Sequence, residues 1–406
     1  MVGGGAAGLA TAIFTRRLHP HASVVLLDGA SHLGAKILVS GGARCNVTNT
    51  TVTDADFWGG RRTVIRRVLR GFPVGDTIAF FRDIGIELHE EPGGKLFPNS
   101  NRARDVLNAL VSEAARVGVT IVTQARVAAI TAGATGFRIT TGAGDIATAR
   151  VVLATGGRSL PKSGSDGAAF EIAKQLGHTI VPTTPGLVPL VLDDEPNAIH
   201  RQLSGVAHEA ELTLWVDDAS EIRLAGSLLW THFGISGPLA LDMSRHWLRA
   251  QLEQRQGQLT VSFCPGQTFE DVERWWTART GERPQASVAR QLATLVPASV
   301  AEALLSRVAV DGATTLAHLS REDRRRVSHA LVKWPLAVKG DRGYNYAEVT
   351  AGGVSLDEID PATMRSRVCD GLFLVGEILD VDGRIGGFNF QWAWSSARVA
   401  ASALGT

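Results

Sequence analysis

Met1-Val2-Gly3-Gly4-Gly5-Ala6-Ala7-Gly8, with Asp28 closing the apolar run Ser23-Val24-Val25-Leu26-Leu27 twenty residues after Gly8, decides the fold. Gly3-x-Gly5-x-x-Gly8 has the spacing of a dinucleotide-binding turn, and each glycine has its own task. Gly3 permits a tight strand-to-helix turn, Gly5 lets the backbone approach a pyrophosphate, and Gly8 lets the helix pack closely on the strand. Ala6 and Ala7 open a helix whose N-terminus offers free N–H groups and about half a positive charge to phosphates. Asp28 is then placed to accept hydrogen bonds from a ribose hydroxyl. The bland alternative is a tight turn that binds nothing. Only Met1 and Val2 precede the loop, where a strand of about five residues is usual. The expectation is therefore that the natural chain extends upstream of Met1.

Outward from this turn, helical patterns at residues 63–70, 74–84 and 102–118 alternate with strand-like runs at 119–122, 137–140 and 151–153. Such alternation predicts an α/β fold with a parallel sheet. From about residue 189 the character changes. Runs at 188–192, 210–216 and 259–263 read as strands, with a turn at Asp217-Asp218, and the stretch from Thr268 to about Trp334 is helical in pattern. After Lys339 a glycine-rich segment leads into a strand at 372–375 and a small-residue helix from about Gln391. The predicted organisation is one nucleotide-binding domain, residues 1–188 and 340–406. It is interrupted by a β domain (189–265 with part of 335–350) and a helical domain (266–334).

The 406 residues are 45% hydrophobic and 20% charged, as in ordinary globular chains. A formal net charge of +1 gives no global argument for a nucleic-acid or membrane partner. Cys45, Cys264 and Cys369 are too scattered for a zinc site or a CxxC pair. That excludes a disulfide-reductase relay and suits a reducing cytosol. With neither a signal-peptide pattern nor about 18 consecutive apolar residues, a cytoplasmic enzyme without a membrane partner is expected. Oligomeric state leaves no trace in the sequence.

Four longer motifs sharpen the picture. The first is Gly34-Ala35-Lys36-Ile37-Leu38-Val39-Ser40-Gly41-Gly42-Ala43-Arg44-Cys45-Asn46-Val47-Thr48-Asn49. The second is Thr231-His232-Phe233-Gly234-Ile235-Ser236-Gly237-Pro238, and the third Val349-Thr350-Ala351-Gly352-Gly353-Val354. The fourth runs from Gly376-Glu377 through Asp382-Gly383-Arg384-Ile385-Gly386-Gly387-Phe388-Asn389-Phe390-Gln391 to Ser396. Together they span the chain, which resembles the BaiN-type family of NAD(P)/FAD-dependent oxidoreductases, related to the aminoacetone-oxidase-like flavoproteins. The resemblance implies a glutathione-reductase-like Rossmann domain that binds FAD, interrupted by an inserted β domain and a helical domain. It also implies NADH or NADPH as a transient electron donor. Three positions depart from the family pattern: Ala43 replaces a usual glycine, Asp28 a usual glutamate, and Ala397 a common glycine.

The remaining candidates are read from chemistry. Ser40-Gly41-Gly42 offers backbone N–H groups with little side-chain obstruction, suited to a flat ring or an anion. Lys36 and Arg44 can balance a pyrophosphate or be solvated charge, and Asn46 can bond an amide-like ring edge. Cys45 reads as a packing residue before a redox one. Ala154-Thr155-Gly156-Gly157 follows a strand and permits close approach to a cofactor, and Arg126-Val127 is implied by the resemblance to serve adenine. Gly376 and Glu377 fall where related flavoproteins place an acid near the ribityl chain, with Asp382 further along the same motif. Gly386-Gly387-Phe388-Asn389, with Gln391, opens the last helix, whose dipole favours an anionic reduced ring by up to ~2 kcal/mol. Arg62, Arg66 and Arg70 form a stripe that is a solvated face, an NADPH phosphate contact or an RNA contact. His232 is the candidate catalytic acid, against a structural histidine, with Tyr344 and Tyr346 as further proton donors.

Three reactions remain open. A reductase passing electrons from NAD(P)H through FAD to an unsaturated small organic substrate comes first, because of the BaiN-like fourth motif. An oxidase of an amine-like molecule, with oxygen as acceptor, is the alternative, since no second nicotinamide-binding turn is present. A flavoprotein acting on tRNA is the third, and the near-zero net charge argues against it.

Overall fold

The computed structural model describes residues 1–195 and 198–405. Contacts divide the chain into two units, Met1–Pro185 with Ala347–Thr406, and Gly186–Tyr346. The strand-rich and helix-rich parts of the insertion thus pack as one body.

In the first unit Val25–Leu27 pairs in parallel with Thr120–Val122, and Val151–Leu153 pairs in parallel with Leu372–Leu374. The start of the chain runs between these pairs. Val2 bridges in parallel to both Leu27 and Leu153, and its N–H donates to the Val152 carbonyl at 2.9 Å. The first strand is therefore central, with its successors split to either side. That split is a topological switch point, where open α/β sheets leave a crevice beyond the strand ends. Leu26, Leu27, Val151, Val152, Leu153, Leu372, Phe373 and Leu374 are all buried. Such unbroken apolar runs are what a parallel sheet covered on both faces requires.

Helices Ala6–Leu18 and Phe388–Ala403, from opposite ends of the chain, pack against one another. Helix Ala103–Arg116 is tied to the first through buried Glu113, which takes Arg17 and Arg116 at 2.5 and 2.6 Å. Burial raises the Glu113 carboxyl pKa, but the two guanidinium groups outweigh it and hold the group below its ordinary range. The predicted strand at 137–140 is the middle of a three-stranded antiparallel meander, Val127–Gly133, Gly136–Thr141 and Gly144–Thr148.

The second unit is built on a seven-stranded sheet, in the order Trp334–Leu336, Gly257–Ser262, Ala207–Val216, Ala219–Thr231, Gly234–Ser236, Leu190–Leu192 and Val338–Asp341. Asp217 and Asp218, the predicted turn, both take positive φ (50° and 65°), as a two-residue hairpin loop demands. Helix Gly237–Leu252 packs on the long strands. Proline suits its first helical turn because the missing N–H would have no partner there. Helices Phe269–Glu282, Ala298–Arg307 and Arg321–Val332 follow, the first and last capped by Thr268 and Ser320. Among the described residues no helix is long and apolar enough to cross a membrane.

Candidate functional site

The phosphate turn lies at the carboxyl end of the central strand. Gly3 takes φ +104°, and a Cβ there would lie 2.5 Å from the Ala154 carbonyl oxygen. At Gly8 a Cβ would lie 1.8 Å from the Gly3 oxygen, whereas at Gly5 it would meet nothing within 4 Å. Gly3 and Gly8 are therefore demanded by the protein itself, and Gly5 faces open space. Asp28 braces the loop: its carboxylate accepts the Gly4 N–H at 2.6 Å and the Ala30 N–H at 2.7 Å. Each oxygen keeps a lone pair for a further donor. Helix Ala6–Leu18 has no side-chain cap, and its first internal bond runs from Leu9 N–H to the Gly5 carbonyl. The amides before Leu9 thus have no intrahelical partner and suit an anion.

The Gly34–Asn49 motif is fastened to this loop by the Gly34 N–H, which donates to the Gly4 carbonyl at 3.1 Å. Its helix, Ala35–Ala43, breaks at Ser40, which is extended, and Gly41, Gly42 and Ala43 then all take left-handed φ (55°, 69° and 65°). A Cβ on Gly42 would meet nothing within 4 Å, so this turn also borders open space. Ala43 explains the family's preference for glycine, since its methyl group pays a left-handed strain. Arg44 forks onto Glu91 and stacks 4.1 Å from the Phe97 ring centre, so its charge is already committed within the protein. Cys45 is fully buried, with its thiol pushed up to about 12 by burial, which suits packing and not redox work.

Asn46 is 8% exposed, and its Oδ1 has no partner among the described residues. Thr155 Oγ1, on the turn after Val151–Leu153, is likewise buried and unpartnered. The Thr155 Cα is only 3.0 Å from where a Gly3 Cβ would stand. Gly156 turns at φ +72°, and Gly157 passes against Thr350 and Glu377.

Residues from the far end complete the constellation. A Cβ on Gly376 would lie 2.8 Å from the Ala7 side chain. Glu377 accepts Lys36 Nζ at 2.7 Å and the Thr350 N–H at 3.0 Å. Lys36 is thus paired as well. Thr350, buried in strand Val349–Val354, accepts the backbone N–H groups of Arg158 (2.7 Å) and Ser159 (3.1 Å) on its Oγ1. Sequence reasoning gave this residue no role, although it sits in the third motif. Gly387, the N-cap of Phe388–Ala403, comes so close to Thr48 that a Cβ would lie 2.4 Å from its carbonyl oxygen. Asn49 Nδ2 donates to the Gly386 carbonyl at 3.1 Å. The turns at residues 5, 41 and 387 are therefore linked, through Gly34–Gly4, Gly376–Ala7 and Thr48–Gly387, into one cradle.

Other candidates are spent on holding the fold. Gln391 accepts from Thr48 and Thr77 hydroxyls and donates to the Phe72 carbonyl and Ser395, at 2.7 to 3.0 Å. Asn389 exchanges two bonds with the Gly383 backbone, Phe388 packs edge-on against Phe57, and Asp382 is buried. Val127 follows Arg126, which packs beside Gly29 and pairs with Asp166 at 2.6 Å. This places the segment beside the turn after Asp28, also joined by the Ala125 N–H to the Asp28 carbonyl. Of the arginine stripe, Arg66 forks onto Asp54, and Arg62 and Arg70 are exposed. His232, Tyr344 and Tyr346 belong to the second unit; His232 is exposed on the turn after Ala219–Thr231.

An uncapped helix start, open space at Gly5 and Gly42, and buried unpartnered atoms on Asn46 and Thr155 fit a flavin nucleotide. The class so defined is the Rossmann-type FAD-dependent oxidoreductases. Comparison with known proteins narrows this: the HI0933-like protein Rossmann domain matches residues 1–403, and the chain belongs to that family. It is 32% identical over 403 residues to the 3-dehydro-bile acid delta(4,6)-reductase of Clostridium scindens, covering 99% of this chain and 98% of that one. It is also 32% identical over 406 residues to the ribosomal RNA dihydrouridine synthase of Escherichia coli, covering 100% and 97%. Among solved structures, 3-ketosteroid delta1-dehydrogenase from Sterolibacterium denitrificans shares the fold, with a TM-score of 0.51 at 13% identity over 100% of this chain and 98% of that one.

Proposed function

We propose that this chain is a reductase of carbon–carbon double bonds conjugated to a carbonyl, drawing its electrons from NADH or NADPH. One observation carries the reading. Two relatives of equal identity over the whole chain act on very different molecules. One name describes a 3-ketone conjugated through double bonds at positions 4 and 6 of a bile acid; the other describes uridine becoming dihydrouridine, the saturation of a double bond beside a ring carbonyl. What they share is conjugate reduction: a hydride adds to the β-carbon and a proton to the α-carbon. FAD, when bound, supplies the hydride chemistry.

The chain's own residues divide the remaining work. The phosphate turn and the helix start at Ala6 hold the pyrophosphate, and Asp28 takes the ribose. Asn46 and Thr155 offer buried acceptors and donors to the ring and its linker. Helix Phe388–Ala403 presents its N-terminus beside Asn49, where its dipole favours negative charge. His232 is the proposed catalytic acid.

The test is anaerobic. Purified yellow protein is mixed with NADH or NADPH, then with a conjugated enone, while visible flavin absorbance is followed. Bleaching by a nicotinamide, with colour restored by the enone, is expected. No bleaching with either nucleotide, together with peroxide formed from an amine in air, overturns the reading in favour of an oxidase.

A further inference from the structure

Two motifs far apart in sequence meet in the second unit. Strand Leu190–Leu192 lies between Gly234–Ser236 and Val338–Asp341, with Leu190 paired to both Ile235 and Asp341. Phe233 and Arg342, one residue outside those neighbours, flank opposite ends of this short middle strand, and their long side chains meet across it. The Leu192 N–H donates to the Phe233 carbonyl at 3.0 Å, and the Arg342 N–H to the Pro189 carbonyl at 3.2 Å. Gly343, at φ +73°, then reverses the chain, and the Tyr346 N–H returns to the Gly343 carbonyl at 3.0 Å. The result is a ladder of three flat groups. The Arg342 guanidinium carbon lies 4.6 Å from the Phe233 ring centre and 3.7 Å from that of Tyr346.

The ladder is unusual in where it leaves its surfaces. Tyr346 is 52% exposed, among the few large hydrophobic side chains so placed. Exposed His232 stands edge-on to Phe233, ring centres 5.1 Å apart. Arg342 has no carboxylate partner among the described residues, and its neighbour Asp341 is occupied by the Gly343 N–H. With a ring beside it on each of two contacts, the guanidinium still carries five in-plane N–H donors, which a carbonyl oxygen can accept.

We infer that the Phe233–Arg342–Tyr346 ladder is a stacking platform for an unstacked nucleobase of single-stranded RNA. The inference rests on the conjugate-reduction reading and names the class of molecule that carries the double bond. Flipped-out bases are held by aromatic rings and guanidinium planes, with their edge oxygens taken by in-plane donors. A steroid needs instead a concave, mostly apolar enclosure. An open platform with a cation at its centre offers the first and not the second.

The test uses the FAD-loaded protein and a fluorescein-labelled decauridylate, with binding read by anisotropy at fixed salt. An abasic oligomer of equal length separates base from phosphate. Wild type should prefer the decauridylate to the abasic oligomer. Tyr346→Ala and Arg342→Lys should each weaken decauridylate binding roughly 5- to 100-fold. Tyr346→Phe should stay within about twofold, because it keeps the ring. Flavin content and melting temperature, unchanged in all three, exclude a folding defect. The inference is overturned if decauridylate binds no better than the abasic oligomer, or if Tyr346→Ala and Arg342→Lys leave its affinity untouched. It is equally overturned if those variants instead weaken a 3-oxo-4-ene steroid. If wild type ignores decauridylate yet its reduced flavin is reoxidised by a simple enone, the platform fails while the proposed reaction stands.

Discussion

The turn at Gly3–Gly8 and the turn at Ser40–Cys45 both border the open space of the cradle, but they meet their steric demands in opposite ways. In the first, glycine stands wherever a side chain would collide, and the helix that follows is regular. In the second, left-handed φ passes beyond the glycines onto Ala43 and, past right-handed Arg44, onto Cys45, at 65° and 63°. Strain there is carried by side chains and held down by neighbours, Arg44 on Glu91 and Phe97 above all. A close-fitting turn tolerates no change; a strained one can be improved.

The comparison breaks most sharply at Gly8. Gly8→Ala drives a methyl group to within 1.8 Å of the Gly3 oxygen and should cost upwards of about 3 kcal/mol, seen as loss of soluble yellow protein or a collapsed melting temperature. Gly5→Ala separates steric from binding demands. With nothing within 4 Å, the fold of the apoprotein should be untouched, while FAD affinity falls at least about tenfold (about 1.4 kcal/mol), measured by flavin titration. At the second turn the sign reverses. Ala43→Gly should relieve left-handed strain and raise stability by about 1 kcal/mol in chemical denaturation. The smallest effect concerns pH. The Arg44 guanidinium holds the Glu91 carboxyl below its ordinary value of 4.5. A depressed carboxyl lends stability above that value and loses it as pH falls through the lowered one. Flavin release should therefore set in at a higher pH in Glu91→Gln, which lacks the anchor at every pH, than in wild type.

Legibility followed the range of each interaction. Gly3, Gly8 and Asp28 were readable because their logic is steric or hydrogen-bonding and local, confined to one strand–turn–helix unit. The two-aspartate turn at residues 217 and 218 was readable for the same reason. Lys36 and Arg44 looked like free cations because their partners, Glu377 and Glu91, lie 341 and 47 residues away. Gln391 and Asn389 looked like cofactor contacts, yet their amides are consumed by Thr48, Thr77, Phe72 and the Gly383 backbone. Helix Gly237–Leu252 was not read from the sequence. Thr350 left no signal, since a buried threonine in a strand is ordinary until the chain that crosses it is known.

The bond between Lys36 and Glu377 also sets an order of events during synthesis. The phosphate turn leaves the ribosome well before the carboxylate that pairs with Lys36, which is translated 341 residues after that lysine. At about 5–20 residues per second, the first half of the cradle waits roughly 20–70 s for the second. Until then its apolar strands lack the neighbour Leu372–Leu374, and the cofactor meets only half of its enclosure. The expected outcome is that a nascent chain released before Leu372–Leu374 is made emerges colourless, checked by its flavin absorbance.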